Sequence, residues 1–549
     1  MLLSLRSNVL RSSLNINSLC IASRLSSTCA TRKFQPILHD IAAELKQHQP
    51  KFSIPADGIR ILSQPSEFYS TLLDMIRRAE ERIFLSSLYI GSSENELIAT
   101  LMNRLAEKQS LHLYLLLDLN RSTRPGPAST AAILLPLLRA FPDRVHVSLF
   151  RSPNLRGILA KIVPPRFNEG WGTWHAKIYG VDNDIIISGA NLSKDYFTNR
   201  RDRYIRFTAQ AHLSDYCFDF LREITPFSYR LLPSEATTLL NNNTNRHSQI
   251  CGDYALIWSD PETHPHRIGD KMQQALTSFQ ATNRQKFEEE EKAGRPCTSS
   301  NVTLFPIIQA GQFRVREEEQ FFQLLFGHLK KAAMRAYLPP VGSLPAGVSS
   351  IVQERPLMDL TSGYFSLYYP YQKLFLLHPQ VEVRIVAASP KANGFYGSQG
   401  ISGRIPEGYT FLEQKFMRAV RRTADRFSIF GSGQSNIDLS EWEKDGWTYH
   451  AKGLWLSPNT DSSPVLTLFG STNLNSRSAD IDTELSFVMA LPPSTASESQ
   501  AANDPVEQLR EQLAREVAVI REDVKPWKGD SRKVRWLTKL IVFLVGKKL

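Results

Sequence analysis

The chain has 549 residues, 42 % hydrophobic, 10 % aromatic and 22 % charged. That is long enough for two to four domains or one duplicated fold, and the profile excludes a disordered chain. Five cysteines without a C-x-x-C pair exclude a zinc cluster of usual spacing and a secreted disulfide framework. The net charge of +11 resides at the ends: residues 1–39 carry +5 and residues 525–549 carry +7, which leaves −1 for residues 40–524. A duplex-binding protein spreads basic residues over its folded surface, so no nucleic-acid partner is expected.

Residues 1–33 are rich in Ser, Arg and Leu, and the first acid in the chain is Asp40. Leu3, Leu5, Val9, Leu10 and Leu14 fall at helical spacing against Arg6 and Arg11, the composition of a mitochondrial transit peptide. From Ile59 strand and helix patterns alternate: strands over Ile59–Leu62, Ile83–Ile90 and Leu111–Leu119, helices over Glu67–Glu81 and Glu94–Lys108. This alternation predicts an α/β fold with a largely parallel or mixed sheet. Residues 40–233 read as a first half, and residues 234–300 as a polar linker followed by a charged helix ending at Glu288–Glu291. The opening pattern then recurs over 301–491, with strands at Val302–Gln309 and Val381–Ala387 around a helix at Glu317–Leu329. Residues 492–549 read as a low-complexity linker, a helix begun by Pro505 with Asp504 as N-cap, and a basic amphipathic tail. The longest apolar run in that tail, Leu540–Val545, has six residues where a membrane span needs about 20. With Trp536 and flanking lysines, the tail suits the headgroup layer of an anionic bilayer.

Two segments repeat. Thr173-Trp174-His175-Ala176-Lys177 is followed by Asp182, Asn191 and Asp202, and Thr448-Tyr449-His450-Ala451-Lys452 is followed by Ser471, Asn473 and Glu484. In both copies the carboxylate follows the Asn by eleven residues. In a strand, residues i and i+2 face one side, so each His and Lys project together into one cleft. The Asn amide can donate to an oxyanion, and the later carboxylate can hold the His ring in one tautomer. Two such units face to face suit a phosphodiester, with one imidazole attacking phosphorus, the other handling protons and the lysines neutralising charge. Trp174 and Tyr449 read as packing aromatics. Arg121 and Arg124 follow a predicted strand, where ligand loops of α/β sheets lie, and stand as candidate phosphate ligands. Lys194, Arg200, Arg201 and Arg203 surround the first motif and pose the same question.

These residues resemble the phospholipase D superfamily, whose signature is His-x-Lys-(x)4-Asp followed by Gly-Ser-x-Asn. The first copy keeps Asp182 but reads Ser188-Gly189-Ala190-Asn191; the second keeps Gly470-Ser471-Thr472-Asn473 but has Ser457 at the Asp position. The resemblance covers roughly residues 59–490. It implies two pseudo-symmetric α/β/α sandwich halves with one active site at their interface. Within the superfamily the chain is similar to the mitochondrial phosphatidyltransferases that make phosphatidylglycerophosphate, on the segments Leu117–Arg121 with Arg124, Ser362–Phe365, Ala388–Phe395 and His450–Trp455. That similarity implies CDP-diacylglycerol and glycerol 3-phosphate as substrates and a peripheral place on the matrix face of the inner membrane. The implied catalytic residues are His175, Lys177, Asp182, Asn191, Asp202, His450, Lys452, Asn473 and Glu484, with Ser471, Arg121 and Arg124 on the substrates and neither metal nor cofactor. The superfamily also contains hydrolases of phospholipid and of nucleic acid, and those remain the alternative activities.

Overall fold

The computed structural model describes residue 31 and residues 34–125, 129–236, 247–293, 300–337, 355–428, 435–493 and 503–546. The transit peptide expected at 1–33 lies outside them apart from Thr31.

Two ten-stranded sheets form most of the molecule, and eight consecutive strands in each run in the same order. In the first sheet that order is Ser228–Pro233, Val145–Phe150, His112–Asp118, Arg82–Ser86, Ile178–Val181, Asp184–Ser188, Tyr204–Phe207 and Ile59–Leu62. In the second it is Val524–Pro526, Ile437–Trp442, Glu382–Ala388, Leu357–Ser362, Lys452–Ser457, Leu466–Gly470, Glu484–Ala490 and Asn301–Ala310. Three parallel strands lie at the centre of each, and the remaining pairings are antiparallel. The parallel strands are buried and read as apolar runs because helices cover them. The duplication read from two short motifs therefore extends to the whole sheet topology.

The halves exchange material at their margins, which corrects the expected boundaries. The helix over residues 34–46 places Phe34, Leu38, Ile41 and Leu45 in the core of the second half, beside Phe321, Phe322 and Leu325. Those four apolar residues fall at spacings of four, three and four, a single helical stripe that must be buried against some apolar face. Strand Phe52–Pro55 then pairs with Asn301–Ala310 at the edge of the second sheet. At the other end Val524–Pro526 completes the second sheet, so that half extends past residue 491. The stretch expected as a linker supplies a hairpin, Gln249–Cys251 with Tyr254–Trp258, to the first sheet before the charged helix Gly269–Lys292.

Helix Pro505–Arg521 has Asp504 as its cap, the carboxylate accepting from the Val506 N–H at 2.9 Å. It ties the halves together. Glu516 accepts from Arg203 of the first half at 2.9 Å through both nitrogens and from Trp455 Nε1 of the second at 2.9 Å. The Arg203 guanidinium lies 3.8 Å from the Trp455 ring centroid, so this buried arginine is committed to the junction. Arg201 is likewise buried and donates to the Ser63 carbonyl. Phe207 stacks on Phe469 across the two sheets, and one apolar core runs through the interface.

Candidate active site

The two motifs meet at that interface, where each is hydrogen-bonded to the opposite half. The His175 N–H donates to the Thr483 carbonyl at 3.0 Å, and the Thr483 N–H donates to Thr173 at 3.0 Å. In the mirrored arrangement Thr448–Tyr449 pairs in parallel with Arg200–Arg201, and the His450 N–H donates to the Arg201 carbonyl at 2.8 Å. Each motif therefore lies beside the segment that precedes the other copy's carboxylate. His175 Nδ1 is 2.9 Å from both Glu484 oxygens, and His450 Nδ1 is 2.6 Å from Asp202 Oδ2. The orienting carboxylates are the residues expected, but each serves the histidine of the opposite half. With Nδ1–H donated to a carboxylate, each ring turns an unprotonated Nε2 to the site.

The lysines repeat one geometry: Lys177 Nζ donates to the His175 carbonyl at 2.5 Å and Lys452 Nζ to the His450 carbonyl at 2.7 Å. Lys452 also approaches Asp202 at 3.4 Å and the Gly189 carbonyl at 3.4 Å. Burial brings the Lys177 ammonium down to about 7, and it lowers Lys452 as well. Burial also lowers His175, with Glu484 and Asp482 opposing the change. For His450 burial and the Lys452 charge act together, against Asp202, and carry it to about 3. Both rings are thus neutral near pH 7 and can act as nucleophile or base.

Gly189 explains the departure in the first copy. A Cβ there would sit 2.5 Å from Asp202 Oδ1 and 2.6 Å from Lys452 Nζ, so the serine of the usual pattern has no room. At the equivalent place in the second copy, the Ser471 hydroxyl donates to the Leu485 carbonyl and accepts from the Leu485 N–H, both at 3.2 Å. It is fully buried, and it secures the backbone directly after Glu484.

The two asparagines differ. Asn191 Nδ2 donates to the Tyr196 hydroxyl at 3.0 Å, and that hydroxyl lies 3.4 Å from His450 Nε2. Asn473 Oδ1 is buried and has no partner among the described residues, a polar atom open to a ligand. The Tyr196 and Tyr364 rings meet His450 edge-on at centroid distances of 5.1 and 5.4 Å. Arg121 and Arg124 both reach Glu169, and Arg121 lies 4.2 Å over the Tyr89 ring. They form a partly exposed cluster neutralised in part by Glu169.

Asp182 lies outside the site. Its carboxylate accepts from the N–H groups of Glu80, Glu81 and Arg82 at 2.9, 2.9 and 3.0 Å, and its own φ is +51°. It closes the turn at the far end of strand Ile178–Val181, which starts directly after Lys177, and so points away from the histidines. Asp182→Ala is therefore expected to lower stability by about 2–3 kcal/mol, the cost of lost hydrogen bonds and a left-handed alanine, while kcat stays within about twofold. Thermal unfolding and initial rates on the same preparation check this.

No family model matches the chain. It is 35 % identical over 518 residues to the CDP-diacylglycerol–glycerol-3-phosphate 3-phosphatidyltransferase of Schizosaccharomyces pombe, covering 91 % of this chain and 96 % of that protein. The chain belongs to that family. The mitochondrial protein of the same name from Homo sapiens is 31 % identical over 512 residues, covering 90 % of this chain and 84 % of that one. Among solved structures, phosphatidylserine synthase of Haemophilus influenzae superposes with a TM-score of 0.59 at 19 % identity, over 92 % of this chain and 97 % of that one. It shares the fold.

A feature of this family member that the motifs did not expose is a charge exchange around the two histidines. Four and nine residues after each Asn stands an ion pair: Asp195 with Arg200 at 3.4 Å in the first copy, Arg477 with Asp482 at 3.2 Å in the second. The positions match and the signs are swapped. Because the copies cross, His450 lies in the field of Arg200 while His175 lies in that of Asp482. Aligning the two copies beyond the Asn would have revealed this pair, and it breaks the symmetry of an otherwise duplicated site.

Proposed function

We propose that the chain transfers a phosphatidyl group from CDP-diacylglycerol to glycerol 3-phosphate, releasing CMP and forming phosphatidylglycerophosphate, by way of a phosphatidyl-histidine on His175. The crossed pairing of each imidazole Nδ1 with a carboxylate of the opposite half carries this reading, since it leaves both Nε2 atoms unprotonated. In the first step His175 Nε2 attacks the phosphorus bearing the diacylglycerol, the bond to the bridging oxygen breaks, and CMP leaves as a stable anion. The phosphorylated ring is cationic, and Glu484 and Asp482 favour that charge, whereas Arg200 disfavours it at His450. In the second step the sn-1 hydroxyl of glycerol 3-phosphate attacks, His450 Nε2 takes its proton, and the P–N bond to His175 breaks. Lys177 and Lys452 neutralise the phosphoryl oxygens, and the Asn473 NH₂ donates to the same group.

Relatives named as mitochondrial and the composition of residues 1–33 support work inside mitochondria. The basic tail supports attachment to the anionic inner membrane from the matrix side. No helix among the described residues is long and apolar enough to cross a membrane.

Incubating the protein with CDP-diacylglycerol, with and without glycerol 3-phosphate, tests the reaction. Phosphatidylglycerophosphate formed in step with CMP is expected. Phosphatidic acid formed at the same rate whether or not the acceptor is present would replace transfer by hydrolysis.

A further inference from the structure

Fourteen large hydrophobic side chains are exposed among the described residues, and ten of them fall in three short segments. One contains Ile158 and Ile162, another Tyr396 and Ile401, and the third is the terminal helix Trp536–Val545, with Trp536 75 % and Phe543 84 % exposed.

The three segments are far apart in sequence, and each is tied through its neighbours to residues around the two histidines. The first runs into Glu169, which holds Arg121 and Arg124, and then into the His175 motif itself. The second follows Gly394, where a Cβ would lie 3.1 Å from the Tyr364 hydroxyl and 3.2 Å from Arg200, on the His450 side. The third is anchored where the Arg535 N–H donates to Glu407 at 2.5 Å and the Thr538 hydroxyl at 2.9 Å. Glu407 opens helix Ile405–Ser428, whose Tyr409 is 5.7 Å from Tyr364.

Each segment is also basic. Residues 151–168 hold four Lys or Arg and no acid, residues 391–406 two and none, and residues 525–549 eight against one. A terminal helix of ten residues spans about 15 Å, half of a bilayer core, so it lies along an interface and does not cross it. Apolar side chains within basic surroundings match the headgroup layer of an anionic bilayer in both polarity and charge.

We propose that these three segments together form one membrane-docking surface that presses the mouth of the active site against anionic lipid. This rests on the phosphatidyl-transfer reading, because only a substrate held by acyl chains makes that orientation useful. The headgroup of CDP-diacylglycerol then rises between the first and second segments to the histidines while its chains stay in the bilayer. The terminal helix is one of three contacts and not the sole anchor.

The test uses the full chain and flotation with phosphatidylcholine vesicles, with and without phosphatidylglycerol. Ile158→Ser with Ile162→Ser, and separately Tyr396→Ser with Ile401→Ser, are each expected to weaken binding to the phosphatidylglycerol-containing vesicles about tenfold while the terminal helix is intact. Ile250→Ser, an exposed isoleucine outside the three segments, is expected to leave binding unchanged. Activity on detergent-dispersed CDP-diacylglycerol is expected to remain within about twofold for all three variants. Vesicle binding equal to that of the unaltered protein in both double variants overturns the proposal. So does equal weakening by Ile250→Ser, or a change in oligomeric state without a change in vesicle binding, which would make the surface a protein interface. Failure of the transfer reading shows separately, as absence of phosphatidylglycerophosphate from detergent-dispersed substrates.

Discussion

Replacing His175 by Ala is expected to lower kcat at least about 10⁴-fold and to eliminate the phosphatidyl-enzyme, because the variant has no atom to form the first covalent bond. His450→Ala is expected to lose about 10²–10⁴-fold and to behave differently. CMP departs as a stable anion, so the first step tolerates the loss of the second imidazole. The acceptor hydroxyl, however, has lost its base, and the phosphatidyl-enzyme accumulates. Rapid quench without acid, followed by digestion and mass measurement, should place the adduct on the peptide containing His175. An adduct on His450 would reverse the assignment that the charge exchange supports, and no adduct in either variant would remove the covalent step.

The second large effect concerns the carboxylates. Glu484→Gln is expected to lower kcat about 10³–10⁴-fold through the tautomer of His175. The Ser478 hydroxyl donates to Glu484 Oε1 at 2.6 Å, and its oxygen accepts from the Asn473 N–H at 3.0 Å. That hydroxyl keeps the carbonyl of the new amide on its own side, so one of the two atoms equidistant from Nδ1 becomes an NH₂ group. The uncharged amide no longer holds the proton on Nδ1 or favours the cationic phosphorylated ring, while attack on phosphorus needs a lone pair on Nε2. Asp202→Asn has the same logic for His450, since the Arg203 N–H holds Oδ1 at 2.9 Å and leaves the amide nitrogen facing the ring. The crossing makes the outcome specific. Glu484→Gln is expected to suppress the first release of CMP, and Asp202→Asn to slow mainly acceptor-dependent turnover. Single-turnover measurements of CMP and product separate the two. If Asp202→Asn suppressed the CMP burst and Glu484→Gln spared it, each carboxylate would be serving its own half. Neither substitution changes volume, so unfolding temperatures provide the control that the fold is intact.

The fold and the pairing of the two motifs were legible because both arise from local pattern. Strand and helix periods follow from which residues must be buried, and the His-x-Lys spacing places two side chains on one face of any extended segment. Where that pattern repeated, a duplicated sandwich with one shared site was the consequence, and the two sheets carry the same strand order. The Asp504 cap and the helix after it were legible for the same reason. The roles of Asp182 and Ser471 were not, since a polar residue near a catalytic motif satisfies backbone as often as substrate. Only its hydrogen-bond partners distinguish the two.

What the sequence determined by itself is the content of the site: two imidazoles, two ammonium groups, two amides and two carboxylates, at matched intervals in a body of almost no net charge. What only the tertiary structure decided is how those groups are shared. The eleven-residue interval carries each carboxylate across the sheet, and the interface between the halves then sets Glu484 against His175 and Asp202 against His450. The same crossing brings Arg200 toward one ring and Asp482 toward the other, making unequal partners of two nearly identical motifs. Local sequence constrains distances along the chain, while pairing across a two-fold interface depends on how two whole sheets pack. The strand exchanged at residues 52–55 and the helix at 505–521 that grips both halves belong to that second category. Their partners lie from 61 to more than 300 residues away in the chain, and packing of the two halves selects them.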